Sequence, residues 1–338
     1  MSVRILQGNV MDRLKELPDE SVHCVVTSPP YWGLRSYLAD GHPDKIKELG
    51  CERTLGEHIA KMVSVFNEVR RVMRKDATLW LNYGDCYATS PSGNRGAGDG
   101  SRGRIISGGY LKPKDLCMVP NRIAIALQEN GWWVRSEIIW AKPNPMPESV
   151  VDRPSSAHEK IWLLTKSAKY FYDAEAVRRP AAECSVERIK YPRTPASKHF
   201  GKSKDMKGTD GARLRPDKQR GHGRTHAGFN ERWDAMPRDE QISFGANLRN
   251  VWTVATSPFP EAHFATFPAD LIEPCIKAGC PKDGVVLDPF AGAGTTGLVA
   301  SRLGRNAILI ELNPEYVRMA ERRLKNDTGM FSQVEVIA

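Results

Sequence analysis

The chain has 338 residues, 41% hydrophobic and 26% charged, which is long enough to bury one large core or two modest ones. Its apolar runs are far shorter than the roughly 20 residues that cross a bilayer, so we expect no transmembrane helix. The chain starts without the basic and apolar regions of a signal peptide, and its seven scattered cysteines argue against a secreted disulfide framework. We therefore expect a cytoplasmic protein.

Positive charge is concentrated in one segment. The net charge is +9, and residues 178–249 hold 17 Lys and Arg against 9 Asp and Glu, an excess of 8 in about a fifth of the chain. Such a concentration favours a polyanionic partner, because phosphate contacts supply much of nucleic-acid affinity. A solvated insertion would explain the charge equally well.

The first part of the chain alternates strand and helix patterns. We predict a strand at 3–6, a helix at 10–17, a strand at 22–27 that ends before Pro29 and Pro30, a helix at 55–73 and a strand at 78–83. The helix at 55–73 is the clearest, because its apolar residues recur at helical spacing. This rhythm predicts a largely parallel sheet with helices on both faces.

The middle of the chain is less regular. Residues 89–109 are rich in Gly, Ser and Arg and are predicted to form a mobile loop. A helix at 114–130 and strands at 132–140 and 160–165 follow. Residues 183–249 show no sustained periodicity, which predicts an insertion or a small second domain.

The last part returns to the alternating pattern. We predict a helix at 265–278, a strand at 285–287, a helix at 295–303, a strand at 307–310 and a helix at 314–325. The sequence VVLDPFAGAGTTG places a glycine turn between a strand ending at Asp288 and a helix beginning near Thr295. Glu311 follows Gly292 by 19 residues, as a carboxylate that binds both hydroxyls of a ribose would.

The glycine turn has two other possible explanations. A tight structural turn would explain the glycines alone. A phosphate-binding P-loop would need a lysine before the Ser or Thr at the helix start, and this chain has Gly294-Thr295-Thr296 there. ATP binding is therefore disfavoured.

A second motif, TSPPYW, ends the strand at 22–27. The two prolines fix the backbone so that the Ser28 hydroxyl and the Pro29 carbonyl can converge on one point, with the ring of Tyr31 beside it. A flipped base fits such a place, since its amino group can donate to both oxygens while its ring stacks on Tyr31. A purely structural Pro-Pro turn is the alternative.

Together the two motifs closely resemble the amino-directed DNA methyltransferases, in which [DNS]-P-P-[YFW] is the catalytic motif and F-x-G-x-G the cofactor motif. Here the catalytic motif comes first, similar to the circularly permuted order of the β group. The segments HFATFPADLIEP and LNPEYVRMAERRL also match, and the resemblance covers residues 3–175 and 250–325. The sequence departs from the family pattern at Gly8-Asn9. Many relatives have Gly-Asp there, with the Asp near the adenine of the cofactor.

The resemblance implies a Rossmann-like, S-adenosylmethionine-dependent α/β fold with a mostly parallel sheet. The implied catalytic residues are Ser28, Pro29, Pro30 and Tyr31, and the implied cofactor-binding residues are Asn9, Thr266, Pro268, Asp288, Phe290, Gly292, Gly294, Thr295 and Glu311. Glu311 resembles the ribose acceptor, and Thr266 and Pro268 a contact to the methionine end. No metal is expected, since Cys275 and Cys280 lack a second pair.

The implied reaction is methyl transfer to an exocyclic amino nitrogen, without a covalent enzyme intermediate. C5-cytosine chemistry needs a cysteine nucleophile that adds to the ring, and we expect none of the seven cysteines to serve as one. Relatives with Ser at the first motif position are mostly N4-cytosine enzymes, so N4 of cytosine is favoured over N6 of adenine. A protein or RNA methyltransferase and a non-enzymatic DNA-binding protein are the remaining alternatives.

The predicted organisation has three parts. Residues 1–175 and 251–338 form the catalytic and cofactor-binding halves of one methyltransferase domain, and residues 176–250 form a basic target-recognition region. The expected partner is double-stranded DNA in a prokaryotic or phage-derived setting. A cognate restriction endonuclease and a monomeric or homodimeric state stay open.

Overall fold

The computed structural model describes residues 1–34, 36–38, 41–88, 110–190, 235–256, 267–328 and 333–337. In these ranges nine strands form one sheet in the order β6-β4-β5-β3-β2-β7-β8-β1-β9. The strands are β1 Ser2–Gln7, β2 Val22–Thr27, β3 Met73–Tyr83, β4 Trp133–Ala141, β5 His158–Thr165, β6 Val251–Thr253, β7 Val285–Asp288, β8 Asn306–Glu311 and β9 Gln333–Ile337.

The helices lie between the strands. They are α1 Val10–Lys15, α2 Leu55–Val72, α3 Val119–Glu129, α4 Glu183–Lys190, α5 Arg238–Phe244, α6 Ala269–Gly279, α7 Thr295–Arg302 and α8 Pro314–Thr328, with a short 3-10 helix at Pro43–Lys47. Helix α2 begins with a capping box, in which Thr54 and Glu57 each accept a hydrogen bond from the other's backbone. Among these helices none has the length and apolarity that a membrane span requires.

Strand β5 is antiparallel to its neighbours β3 and β4, and the other pairs of adjacent strands in the sheet are parallel. The parallel strands therefore end at the same edge of the sheet, where β5 begins. The first residues after β1, β2, β3, β7 and β8 meet along this edge, and ligands bind at such carboxyl ends in open α/β sheets.

The two faces of the sheet pack against different helices. Val25 and Leu79 point toward α2, where they share one hydrophobic cluster with Met62 and Phe66. Thr78 points to the opposite face, because successive strand residues alternate, and its hydroxyl donates to the carbonyl of Gly279 at the end of α6 at 3.3 Å. The predicted Rossmann-like α/β fold, with helices on both faces of a mostly parallel sheet, is confirmed.

Contacts divide the chain into two compact units, residues 1–176 with 249–338 and residues 177–248. In the second unit, the described residues form the short helices α4 and α5. The backbones of Arg179 and Ala246 exchange two hydrogen bonds of 2.9 and 2.8 Å, and the Arg178 guanidinium lies 3.6 Å from the centre of the Phe244 ring. Most of the basic segment and the predicted mobile loop at 89–109 lie outside the described residues.

Several elements differ from the sequence prediction. Strand β3 begins at Met73, directly after α2, and not near residue 78. Strands β6 and β9 were not expected, because three or five residues at a sheet edge carry little periodicity. Helix α6 begins after Pro268, which takes the N-cap position, and it continues through Pro274.

Candidate active site

The turn after β7 is organised by a buried carboxylate. Asp288 is 1% exposed, and its Oδ1 accepts hydrogen bonds from the Thr27 hydroxyl at 2.7 Å and the Phe290 backbone at 3.0 Å. Its Oδ2 accepts from the Thr296 hydroxyl at 2.6 Å. Burial raises the pKa of Asp288 to about 6, although these hydrogen bonds oppose the shift. Both oxygens thus hold the turn together.

The two glycines of the turn have different surroundings. Both have positive φ, +51° at Gly292 and +75° at Gly294, which disfavours a residue with a side chain. A Cβ built on Gly294 would lie 2.9 Å from the Cβ of Ala320 on α8, so this glycine permits close packing of the turn. A Cβ on Gly292 would meet nothing within 4 Å. Gly292 therefore borders open space that a ligand can enter.

Glu311 is hydrogen-bonded to the backbone of Gly292 beside this space. Its carboxylate accepts backbone hydrogen bonds from Gly292 and Asn313, each at 2.8 Å, and its own carbonyl accepts from Gly8 at 2.9 Å. Burial raises the pKa of Glu311 to about 7. The charge of Asp288 adds to this rise, and the hydrogen bonds from Gly292 and Asn313 oppose it. Glu311, the last residue of β8, thus connects Gly8 after β1 with Gly292 after β7.

Asn9, Pro268, Phe290 and Thr295, also predicted to bind the cofactor, follow or precede elements that end at this edge of the sheet. Asn9 accepts from the Met11 backbone at 2.9 Å and thereby caps α1. Thr295 is buried, and its hydroxyl accepts from Arg323 at 2.8 Å. Pro268 is buried and Phe290 half-buried. Thr266 lies outside the described residues.

The Ser28–Tyr31 loop follows β2 directly beside this turn. The Ser28 hydroxyl donates to Oη of Tyr31 at 3.3 Å. The ring of Tyr31 packs on Tyr83, with ring centres 4.7 Å apart and planes inclined by 31°. A Cβ on Gly84 would lie 2.5 Å from the Tyr31 ring, so only glycine leaves room for the ring in this position.

The phenol of Tyr31 ends in a polar cluster that motif reasoning did not find. Tyr31 donates to Oε2 of Glu159 at 2.8 Å, and Asn82 donates to the same oxygen at 3.2 Å. Lys142 forms an ion pair with the other oxygen of Glu159. Burial, followed by the charge of Glu159, raises the pKa of Tyr31 well above its usual value, so the phenol stays protonated. In the sequence, only their positions at the end of β3 and the start of β5 indicate that Asn82 and Glu159 could belong to this site.

A second group of buried side chains holds the Ser28–Tyr31 loop in place. The hydroxyl of Tyr83 donates to the carbonyl of Pro30 and accepts from the backbone of Trp32, both at 3.0 Å. The same oxygen lies 2.6 Å from Nε2 of His58, whose Nδ1 lies 2.7 Å from Glu52. No sequence motif indicates this group, since its members come from three separate segments.

The chain contains one Pro-Cys pair, Pro274-Cys275, which lies inside α6. Cys275 is 1% exposed, and its thiol donates to the carbonyl of Leu271 at 3.7 Å. Burial raises the pKa of this thiol far above its usual value, so the reactive thiolate is strongly disfavoured. A C5-cytosine mechanism would need that thiolate as its nucleophile, and the surroundings of Cys275 do not supply it.

A family model described as DNA methylase, for N6 and N4 enzymes, matches residues 22–322. The chain belongs to the DNA methylase family. As a member it is an S-adenosylmethionine-dependent DNA methyltransferase that acts on an amino group of a base. The resemblance inferred from the two motifs is thus confirmed at the level of the family.

Relatives of this DNA methylase include two that are similar over nearly their full length. The chain is 40% identical over 330 residues to the Type II methyltransferase M.XycI of Xanthomonas campestris pv. cyanopsidis, with 96% of this chain and 88% of the relative covered. It is 39% identical over 328 residues to the Type II methyltransferase M.Cfr9I of Citrobacter freundii, with the same coverage.

Solved structures share the fold of this DNA methylase at low sequence identity. The PvuII DNA methyltransferase, described as cytosine-N4-specific, has a TM-score of 0.59 at 18% identity, with 99% of this chain and 95% of that chain covered. A putative DNA modification methylase from Thermus thermophilus, complexed with S-adenosyl-L-methionine, has a TM-score of 0.55 at 23% identity, with 99% of both chains covered.

Proposed function

We propose that this DNA methylase transfers a methyl group from S-adenosylmethionine to N4 of cytosine in double-stranded DNA, as the modification enzyme of a Type II restriction system. The observation that carries the proposal is the bond from Thr27 to Asp288, which puts the Ser28–Tyr31 loop next to the turn at Gly292. A serine at position 28 favours cytosine, and the Type II names of M.XycI and M.Cfr9I agree with the biological role.

The space beside Gly292 fits the cofactor. The absent Cβ leaves room for the cofactor to approach the backbone, and the Glu311 carboxylate can accept two hydroxyl hydrogens. Asn9, Pro268 and Phe290 are proposed to complete the site. Asp288 and Thr295 are buried and hydrogen-bonded to protein groups, so we assign them to positioning the turn, which differs from the direct contact expected at first.

The bound cofactor would supply an electrophilic methyl group for the base nitrogen to attack. Ser28 gives its own hydrogen to Tyr31, so the lone pairs of its oxygen can accept a hydrogen from the amino group of the base. The carbonyl of Pro29 is proposed to accept the other, and the ring of Tyr31 to contact the flipped base. Drawing both hydrogens out of the ring plane restores the nucleophilicity of the nitrogen. A serine is too weak a base to keep the proton, which leaves to solvent after transfer.

We assign target recognition to residues 176–250, together with the predicted loop near Arg95 to Arg104. The excess of positive charge in residues 178–249 matches a DNA backbone, and nearly all of this segment belongs to the second compact unit, residues 177–248. DNA affinity should therefore fall steeply as salt concentration rises. An affinity insensitive to salt would argue for a protein substrate.

Single-turnover methyl transfer to unmethylated duplex DNA tests the assigned roles. Ser28→Ala and Tyr31→Ala should lose most of the transfer rate while calorimetry shows unchanged cofactor affinity. As a matched pair of controls, Ser64→Ala and Tyr110→Ala change exposed residues and should transfer at the normal rate. Normal transfer by Ser28→Ala would remove this residue from the mechanism.

A further inference from the structure

Three buried side chains form a hydrogen-bonded chain from α2 to the Ser28–Tyr31 loop. Nδ1 of His58 lies 2.7 Å from Oε2 of Glu52, and Nε2 of His58 lies 2.6 Å from Oη of Tyr83. His58 is 0% exposed, and Glu52 and Tyr83 are buried with it. The methyl-transfer steps above do not use these residues, yet their last member holds the loop.

The partners of the Tyr83 hydroxyl determine where its hydrogen points. The backbone N–H of Trp32 can only donate to this oxygen, and the carbonyl of Pro30 can only accept from it. A phenol has one hydrogen, and giving it to Pro30 leaves none for His58. His58 must then be the donor to Tyr83, so its Nε2 carries a hydrogen.

The second ring nitrogen contacts Glu52. A separation of 2.7 Å between Nδ1 and Oε2 of Glu52 requires a hydrogen between these atoms. The ring of His58 therefore links the Glu52 carboxyl group to the Tyr83 hydroxyl. Burial raises the pKa of Glu52, but the hydrogen bond and charge of His58 outweigh burial and lower it overall. The other titratable groups facing the pair are Lys61, 3.4 Å from Glu52, and Tyr31, packed on Tyr83.

We propose that Glu52 and His58 are positioning residues, which act through Tyr83 to hold the Pro30 carbonyl and so set the Ser28–Tyr31 loop for methyl transfer. The inference rests on the proposed role of that loop. Without a hydrogen on Nε2, His58 would accept the hydrogen of Tyr83, and the Pro30 carbonyl would lose its donor.

The rate constant of single-turnover methyl transfer tests this proposal. In Glu52→Gln the amide can donate to Nδ1 of His58, whose Nε2–H then still donates to Tyr83. This variant keeps the hydrogen bond to Tyr83, so its rate constant should be lowered at most about tenfold.

Tyr83→Phe removes the link itself, and the single-turnover rate constant should fall about 100-fold, as expected for a reacting group displaced by about 1 Å. Cofactor affinity should stay normal, which shows that this variant is folded. Glu129→Gln and Tyr110→Phe, both at exposed positions, are the matched controls and should keep the wild-type rate constant. A Glu52→Gln variant slowed as much as Tyr83→Phe, or a normal rate constant in Tyr83→Phe, would overturn the proposal.

Nitrogen NMR of histidine-labelled protein gives a readout independent of activity. The His58 signals are identified by their absence in His58→Gln. Nε2 of His58 should carry the hydrogen that the Tyr83 oxygen accepts, and an Nε2 without a hydrogen would overturn the proposal whatever the activity. Failure of the proposed function would look different, because the wild-type protein would then transfer no methyl group while Nε2 of His58 stayed protonated.

Discussion

The hydroxyl of Thr27 donates a 2.7 Å hydrogen bond to the carboxylate of Asp288, a residue 261 positions further along the chain. Thr27 is the last residue of β2 and Asp288 the last of β7, and the two strands are adjacent in the sheet. The bond fixes the spacing between the loop that is proposed to hold the base and the turn that is proposed to hold the cofactor.

Thr27→Val should therefore impair stability and both binding functions together. The substitution removes a donor from a buried carboxylate and should lower the free energy of unfolding by about 1 to 3 kcal/mol. Cofactor affinity and transfer rate should fall as well, because the turn and the loop lose their common anchor. Chemical denaturation and calorimetry measure these effects. Thr253→Val, at an exposed strand position, is the control, and equal behaviour of the two variants would show that the bond has no such role.

Replacement of Gly292 or Gly294 by alanine should impair different properties of the protein. Gly294→Ala adds a methyl group against Ala320 at an unfavourable φ and should lower the melting temperature more. Gly292→Ala meets only the φ penalty, about 1 to 2 kcal/mol, and its larger effect should be on cofactor affinity. Gly292→Leu should abolish cofactor binding.

Thermal melting and calorimetry on both variants separate the two roles. If Gly292→Leu bound the cofactor normally, the space beside this glycine would not be the cofactor site. If Gly294→Ala melted like the wild type, its packing against α8 would not matter for stability.

Cofactor affinity should depend on the protonation of Glu311. With a pKa near 7, Glu311 is largely neutral at pH 6 and ionised at pH 8. The ionised carboxylate is the stronger acceptor for both ribose hydroxyls, so affinity should rise from pH 6 to 8. Glu311→Gln should bind more weakly by about 1 to 3 kcal/mol and lose this dependence. Calorimetry at three pH values checks both statements, and a wild-type affinity that falls over this range would contradict them.

The raised pKa of Glu311 also makes the stability of the cofactor-free protein depend on pH. The folded state binds the Glu311 proton more tightly than the unfolded chain, where the pKa is near 4.5. The contribution of Glu311 to stability is therefore fully present below about pH 4.5 and is lost as pH rises toward 7. In Glu311→Gln this loss should disappear from the pH dependence of unfolding.

The sequence predicted those parts of the fold and site that are encoded locally. Helical spacing in 55–73 predicted α2, and the glycine turn and Ser28-Pro29-Pro30-Tyr31 indicated the strand ends at which we propose the site. Residues such as Glu159 and His58 could not be found in this way, because they approach Tyr31 and Tyr83 only when distant strands and helices pack. The different surroundings of Gly292 and Gly294 likewise depend on α8, which no local pattern reveals.

Nucleoside analysis of product DNA tests the central claim most directly. DNA from a host without other methyltransferases, in which this protein is expressed, would be digested to nucleosides and analysed by mass spectrometry. N4-methylcytosine is the predicted product, and it should be missing from a host that expresses Ser28→Ala. Finding only N6-methyladenine would contradict the assignment of the base, and finding no methylated base with a folded, cofactor-bound protein would contradict the proposed activity as a whole.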